Sequence, residues 1–482
     1  MSKKILRRSF LGTAGTAAAL AASQNASAAF HPIPLVTRGR LEKPTLLGIG
    51  AGGKGTTDLE QCKKVGFDVV ALNDVVDAKR IPEANDKRSK KWFQVRDAYP
   101  NASFGTDYRQ MIAEMGDKID AVVVSAPDHH HFHASSLAMQ AGKHVYCQKP
   151  LTHGIWEARM LAKLAATTGV KTQMGNQAHA NDHMRRCVEL IRAGVIGPVK
   201  EMHTWTNRPI WPQGFVSPPD AEPVPAGMDW KQWCGPAPWV DYSPVIAPFN
   251  WRGWWNYGTG ALGDMACHIM DLGYWSMNPG APKTVVAEQN GASQYSPPIN
   301  SKITWEFAPN QYSASDGFNI YWYDGYVGAK FDRKDWKLDR SGRDYNHPDE
   351  SVMEGMSFER FGSVIVGEHG KLFFNRSKSN WVLKLDSNAD GFAWPAQSLP
   401  RAANQNNYQE WFDAINGTID QAQSNFGHAG PFTETILLGV LAQRVAGEKL
   451  SWQAESMTID GRPDLQKYIR REYTDGWETS VE

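Results

Sequence analysis

The sequence predicts an α/β protein. A doubly wound parallel sheet comes first, and a second α/β domain on a large, mostly antiparallel open sheet follows. Three observations carry this. Apolar runs alternate with helical stretches between residues 44 and 178, the rhythm of parallel strands covered on both faces. Beyond residue 178 the strand-like segments alternate in polarity or abut turns, which fits antiparallel pairing. The chain has 482 residues, 41% apolar and 21% charged, enough for two cores and unlike a disordered protein.

The chain opens on a segment that reads as an address rather than as structure. Lys3, Lys4, Arg7 and Arg8 precede a weakly apolar stretch from Thr13 to Ala22 and the small-residue cleavage pattern Ala26-Ser27-Ala28. The stretch is too short and too rich in Ala, Gly and Thr to span a bilayer. Arg7-Arg8-Ser9-Phe10-Leu11 resembles a twin-arginine export signal, with Leu6 and Gly12 departing from its usual flanks. That resemblance implies a periplasmic or otherwise exported protein, moved after folding by the twin-arginine translocase. Residues 29–43, with Pro32, Pro34, Arg38 and Arg40, read as a linker. The whole chain has 51 basic and 51 acidic residues, so without the four cations of residues 1–28 it is mildly acidic. No surplus of positive charge is available for nucleic acid.

Residues 44–178 carry the first domain. Thr45–Ile49 is an apolar run ending in Gly50-Ala51-Gly52-Gly53-Lys54-Gly55, and a helical stretch follows. Further strands are expected at 68–72, 120–125, 143–147 and 170–174. The glycines Gly50, Gly52 and Gly55, between a strand and a helix, form a dinucleotide-binding loop, with Gly53 inside it. Such a loop lets the backbone approach a pyrophosphate at a helix N-terminus. Asp74, at the end of the next strand, is placed to accept a ribose 2′-OH, which favours NAD and leaves NADP possible. This is a Rossmann NAD(P)-binding domain.

After the third of these strands come Pro127-Asp128-His129-His130-His131-Phe132-His133 and, ten residues past His131, Ala141-Gly142-Lys143-His144-Val145-Tyr146-Cys147-Gln148-Lys149-Pro150. Gly175-Asn176-Gln177, Trp254 to Gly260, and Gly263-Asp264-x-x-x-His268-x-x-Asp271 follow. Together these motifs resemble the Gfo/Idh/MocA oxidoreductases over essentially the whole chain after the signal. The family pattern has Glu where this chain has Gln148. The resemblance implies a substrate-binding and oligomerisation domain over residues 179–482, and a dimer or tetramer. It also implies that Asp128, His131, Gln148, Lys149 and Asn176 join the glycines and Asp74 around the cofactor.

Residues 260–277 have two helical faces, with Asp264, His268, Asp271 and Trp275 on one stripe and Thr259 as the expected N-cap. Oxidising a secondary alcohol needs a base, and the unperturbed pKa of His268, about 6.5, suits it. The resemblance implies the roles: His268 as that base, Asp264 to orient its imidazole or touch the sugar, and Lys149 to donate to the reacting oxygen. These three, Lys149, Asp264 and His268, are the catalytic candidates. Nine of 19 tryptophans fall between Trp205 and Trp275, which fits either an aromatic core or a pocket wall that stacks on sugars. Arg208, Trp211, Arg252, Trp254, Trp255 and Asp271 are the substrate-binding candidates. The histidines at 129, 130, 131 and 133 are crowded, yet neighbours on a loop rarely face one ion and no Cys or Glu completes a shell, so no metal is expected. The five cysteines have no metal or disulfide spacing and read as buried thiols.

The expectation is an exported enzyme that moves hydride between a tightly held nicotinamide cofactor and a secondary alcohol of a sugar or polyol. Two alternatives stay open. One is a redox-neutral glycosidase that works by transient oxidation and elimination. The other is a cofactor-bound sugar-binding protein without catalysis.

Overall fold

A computed structural model describes residues 43–77, 89–357, 360–375, 380–386 and 394–481. All of these lie in the compact unit Pro32–Glu482. The expected signal and most of the linker lie outside the described residues.

The first sheet has six strands: β1 (Thr45–Ile49), β2 (Asp68–Asn73), β3 (Ser103–Gly105), β4 (Ala121–Val124), β5 (His144–Cys147) and β6 (Thr172–Met174). Their order is β3-β2-β1-β4-β5-β6 and every pairing is parallel. The helices between them are α1 (Lys54–Val65), α2 (Ser89–Ala98), α3 (Tyr108–Met115), α4 (His131–Gln140) and α5 (Ile155–Thr168). All four residues of β4 are buried, as a strand covered on both faces requires. The five expected strands are present. β3 escaped detection because its three residues hold a single large apolar side chain, Phe104.

Helix α6 (Asp182–Arg192), capped by the Asn181 side chain on the amides of His183 and Met184, leads into the second sheet. Its elements are β7 (Val199–Thr206), α7 (Trp230–Cys234), α8 (Gly260–Ile269), α9 (Asp271–Met277), β8 (Thr284–Asn290), β9 (Asn300–Phe307) and β10 (Phe318–Asp324). A small hairpin, β11 (Lys330–Asp332) and β12 (Lys337–Asp339), and the turn α10 (Glu350–Met353) precede β13 (Phe361–Gly367), β14 (Gly370–Asn375) and β15 (Asn380–Leu385). The chain then runs through α11 (Asn407–Ile415), α12 (Phe426–Arg444), β16 (Leu450–Gln453) and β17 (Thr458–Ile459). The nine-stranded order is β15-β14-β13-β7-β10-β9-β8-β16-β17. It is antiparallel apart from the β7–β10 pair.

Two helices differ from expectation. The stripe predicted as one helix from Gly260 is two, α8 and α9. Met270 between them stays near helical angles (φ −78°, ψ −15°), so the stripe continues. Helix α12 starts at Phe426, ahead of the expected Phe432, and carries Pro431 inside it. A proline preceded by Gly427 and Gly430 reads as a break in sequence, whereas burial of this segment against α5 holds the helix together.

The C-terminal helices return to the first domain. Trp411 of α11 stacks on Phe67 with ring centroids 4.9 Å apart, and Tyr408 stacks on Tyr146 at the same distance. Both join Leu46, Leu59 and Val123 in one apolar cluster. One face of the nucleotide-binding sheet is therefore closed by residues more than 260 positions later in the chain than the rings they stack on. Among the described residues no helix is long and apolar enough to cross a membrane.

Candidate active site

The carboxyl ends of β1, β2 and β4 open into a cavity of about 810 Å³. Gly50, Gly52, Gly53, Asp74 and Ser125 line it from the sheet side. Arg208 and Trp211, just past β7, face them with Trp251, Arg252 and Asp264. The crevice at the carboxyl ends of such a sheet is where this architecture binds ligands.

The phosphate loop is built by close approach. Gly50 has φ +74°, and a Cβ there would lie 2.6 Å from the Ala126 nitrogen. A Cβ on Gly52 would lie 1.7 Å from the indole nitrogen of Trp92 on α2. The N-cap of α1 is Gly53, with no side-chain cap and no acidic residue in the first turn. Its free N–H groups and positive helix end suit a pyrophosphate. Asp74 accepts hydrogen bonds from the Gly52 amide (2.8 Å), the Val76 amide (3.1 Å) and the Trp92 indole. Burial pushes its pKa up to about 6 in spite of these donors. The loop, the bare helix start and the acid together fit a nicotinamide dinucleotide.

Beneath the loop lies a carboxylate that motif reading overlooked. Asp58 of α1 is fully buried and accepts from Lys54, the Ser125 hydroxyl (2.7 Å), the Tyr408 hydroxyl (2.6 Å) and the Gln148 amide. Gln148 therefore supports the loop from below and is absent from the cavity wall. A lone Asp inside a helix carries no sequence signal, since three of its four partners come from separate segments.

Behind Asp264, which lines the other end of the cavity, Lys149 donates to the Asp264 carboxylate (2.7 Å) and to the Asp264 carbonyl (3.1 Å). Arg252 lies 3.3 Å from the same carboxylate oxygen. Burial alone raises the Asp264 pKa, but Lys149, Arg252 and Arg208 outweigh it and hold the group below the ordinary carboxylate range. Asp128 is buried below Arg252 and accepts from its guanidinium at 2.9 and 3.0 Å and from the Thr259 hydroxyl at 3.0 Å. Thr259 precedes α8 as expected, but its hydroxyl serves Asp128 and caps no helix amide. His268 follows Asp264 by one turn of α8 and is partly buried. Neither it nor Lys149 is among the residues that line the cavity, and Asp264 is the member of the three exposed to it.

The histidine run separates into individual roles. Both His129 and His130 place Nε2 on the Trp233 carbonyl, at 2.8 and 2.9 Å, and His133 places Nε2 on the Trp477 carbonyl at 2.7 Å. Burial drives all three towards the neutral form. His129 also sets Nδ1 3.3 Å from the Tyr257 carbonyl, a long contact. His131 differs in that both its ring nitrogens meet carbonyls closely, Pro150 at 2.7 Å and Ala126 at 2.8 Å. Two acceptors need two N–H groups, which is the imidazolium. Burial opposes that charge, and Cys147, Asp128 and the Pro150 carbonyl overcome it, raising the pKa to about 9. His131 thus ties the cavity-lining turn after β4 to the peptide that follows Lys149, and does not itself line the cavity.

Four further candidates sit away from the cavity. Asn176 and Asp271 meet each other (2.8 Å) inside a buried cluster where His179 and His428 also donate to Asp271, at 2.9 and 3.1 Å. Asn176 in turn accepts from Ser424 at 2.6 Å. His179, Asp271 and His428 are the group among the described residues with a donor set suited to a metal ion, and here the carboxylate is occupied by N–H donors. Trp254 packs on Phe215 and Trp255 lies in the main core with its indole N–H on the Ser293 carbonyl. Aromatic bulk won over function at these two positions. The wall uses Trp92, Trp211, Trp233 and Trp251 in their place.

Residues 47–176 match the family described as "Oxidoreductase family, NAD-binding Rossmann fold", and residues 189–320 match its C-terminal α/β domain. The chain is 31% identical over 121 residues to an inositol 2-dehydrogenase of Rhizobium meliloti, covering 24% of this chain and 36% of the relative. It is 30% identical over 116 residues to a D-xylose 1-dehydrogenase (NADP(+)) of Hypocrea jecorina, covering 24% and 29%. The chain spans less than half the length of the curated relatives it matches. Among solved structures, an inositol dehydrogenase homolog from Azotobacter vinelandii, complexed with NADH and myo-inositol, has the same fold. Its TM-score is 0.55 at 14% identity, over 86% of this chain and 98% of that one. The two matched segments together span more than half of the 482 residues, so the chain belongs to the Gfo/Idh/MocA oxidoreductase family.

Proposed function

We propose that the protein is an exported NAD(P)-dependent oxidoreductase acting on a secondary alcohol of a sugar or polyol. The observation that carries this is one continuous cavity with the glycine loop and Asp74 at one end and Asp264, paired with Lys149, at the other. A dinucleotide bound along the loop supplies the hydride acceptor or donor. The chain's own residues do the rest. Two of the three Lys149 protons are engaged by Asp264, which fixes the ammonium and leaves one for the substrate oxygen. That proton stabilises alkoxide charge as it develops. Asp264, kept ionised by its cations, positions Lys149 and stays out of the proton transfer. His268 takes the hydroxyl proton. His131 and Asp128 hold Lys149 and Arg252 from behind.

The basic segment ending in Ala26-Ser27-Ala28 supports export, and so do five buried free cysteines in a protein that folds before transport. Free NAD is scarce outside the cytoplasm, so the cofactor is held tightly and recycled in place. Mass spectrometry of the small molecules released on denaturing natively purified protein tests this. Stoichiometric nicotinamide dinucleotide is expected. A protein that carries none and has no affinity for any overturns the reading.

A further inference from the structure

The proposed function leaves the class of sugar open, and the charges at the reacting end of the cavity narrow it. Three cations converge there: Lys149, Arg208 and Arg252. Two carboxylates, Asp128 and Asp264, answer them. Asp128 is spent on Arg252 and Thr259, and Asp264 on Lys149 and Arg252. Arg208 remains. Its guanidinium lines the cavity, and among the described residues its side chain has no hydrogen-bond or ion-pair partner. Its Nε is buried without an acceptor. A half-buried guanidinium loses hydration that only an acceptor restores, and an anion restores most.

Arg208 lines the cavity together with Trp211, Arg252 and Asp264, and its charge helps keep the Asp264 carboxylate ionised, which groups it with the reacting end. It sits two residues after β7, where its own carbonyl accepts from the Gly325 amide, so the backbone beneath it is tied. Arg252 is equally fixed: its guanidinium lies 4.3 Å from the Trp251 ring centroid and is clamped by Asp128. The site thus presents a rigid fork and a guanidinium without an acceptor beside the apolar faces of Trp211 and Trp251. Planar forks of this kind suit a carboxylate held by two bonds.

Building on the proposed function, we infer that the substrate is an acidic sugar, a monoanion whose carboxylate is held by Arg208 with Arg252 beside it while a ring hydroxyl faces Lys149. A carboxylate presents the two coplanar oxygens that a planar guanidinium fork binds with two parallel bonds.

The test uses the full-length protein saturated with NADH. Tryptophan fluorescence is followed as D-glucuronate, D-galacturonate, the matching neutral hexoses and glucose 6-phosphate are added. Trp211 and Trp251 report occupancy. The hexuronates are expected to bind about 10- to 100-fold more tightly than their hexoses, the range of one charge-assisted bond. Arg208→Gln is expected to erase that ratio and leave NADH affinity within about twofold, while Arg208→Lys keeps part of it. Equal binding of acids and neutral sugars overturns the inference. So does no hexuronate binding, or a preference for the phosphate ester. A loss of NADH affinity in Arg208→Gln also overturns it, by assigning the arginine to the cofactor. Arg208-dependent hexuronate binding by a protein that takes up no nicotinamide would keep this inference and remove the oxidoreductase reading.

Discussion

Gln148 places its amide nitrogen 3.0 and 3.1 Å from the two oxygens of buried Asp58. The family pattern has Glu at this position, and beside Asp58 a second carboxylate would face the first with no water between them. Gln148→Glu is therefore expected to destabilise the protein by about 3 kcal/mol, the scale of an uncompensated buried charge. Adding Asp58→Asn should recover much of that loss. A thermal-unfolding double-mutant cycle measures the coupling, and additive effects would break the link between the two residues.

His131 makes stability depend on alkaline pH. Its folded pKa, raised to about 9, exceeds the unfolded value of about 6.5. A raised pKa means stabilisation that is full below about 6.5 and disappears as pH rises through about 9. His131→Phe strands the Ala126 and Pro150 carbonyls and should cost about 2–4 kcal/mol at pH 6. The gap between wild type and variant should narrow by pH 9.5 in denaturant melts. A gap that is flat from pH 6 to 10 would mean a neutral ring.

Asp74 should govern cofactor choice. Its carboxylate lines the cavity and is held by Gly52, Val76 and Trp92, and its pKa of about 6 lies close to the working range. NADH affinity is expected to fall as pH drops through 6, because the protonated acid is a poorer acceptor. Asp74→Ser should weaken NADH by about tenfold and bring NADPH closer to it. Fluorescence titration of both cofactors at pH 5, 6 and 8 checks both statements.

Lys149→Met should lower kcat by about 10²–10³ with NADH affinity nearly unchanged, the loss typical of one removed donor at a developing oxyanion. His268→Ala should cost about 10²–10⁴, as loss of a general base does. Once a substrate is in hand, single-turnover hydride transfer separates these effects from binding. A His268→Ala enzyme with unchanged turnover would remove the base assignment.

Asp271 should behave as a structural residue. Burial raises its pKa, and His179 and His428 overcome that and hold it well below the usual carboxylate range. Its contribution is present above the ordinary Asp pKa of about 4 and fades as pH falls further. Asp271→Ala leaves three donors without an acceptor and should cost about 3–5 kcal/mol. A variant of normal melting temperature and raised KM would return Asp271 to the substrate.

Local pattern in the sequence was enough for the parallel sheet, the glycine loop and the acid after β2, whereas Lys149, Asp264 and His268 came from the family resemblance, and of these the fold joins Lys149 to Asp264. The sheet, the loop and the acid each depend on a strand, a turn or a helical repeat that a few neighbouring residues specify. Long-range pairing decided the rest. Asp128 reads as a cofactor residue beside its histidines, yet the chain returns 124 residues later with Arg252 to occupy it. Trp254 and Trp255 read as a sugar platform, yet the space they fill is the core, and Trp92 and Trp251 form the wall. Asp58 was invisible because Ser125, Gln148 and Tyr408 reach it from far positions. A buried polar group is defined by whatever satisfies it, and in this protein those partners are brought together only by the closed fold.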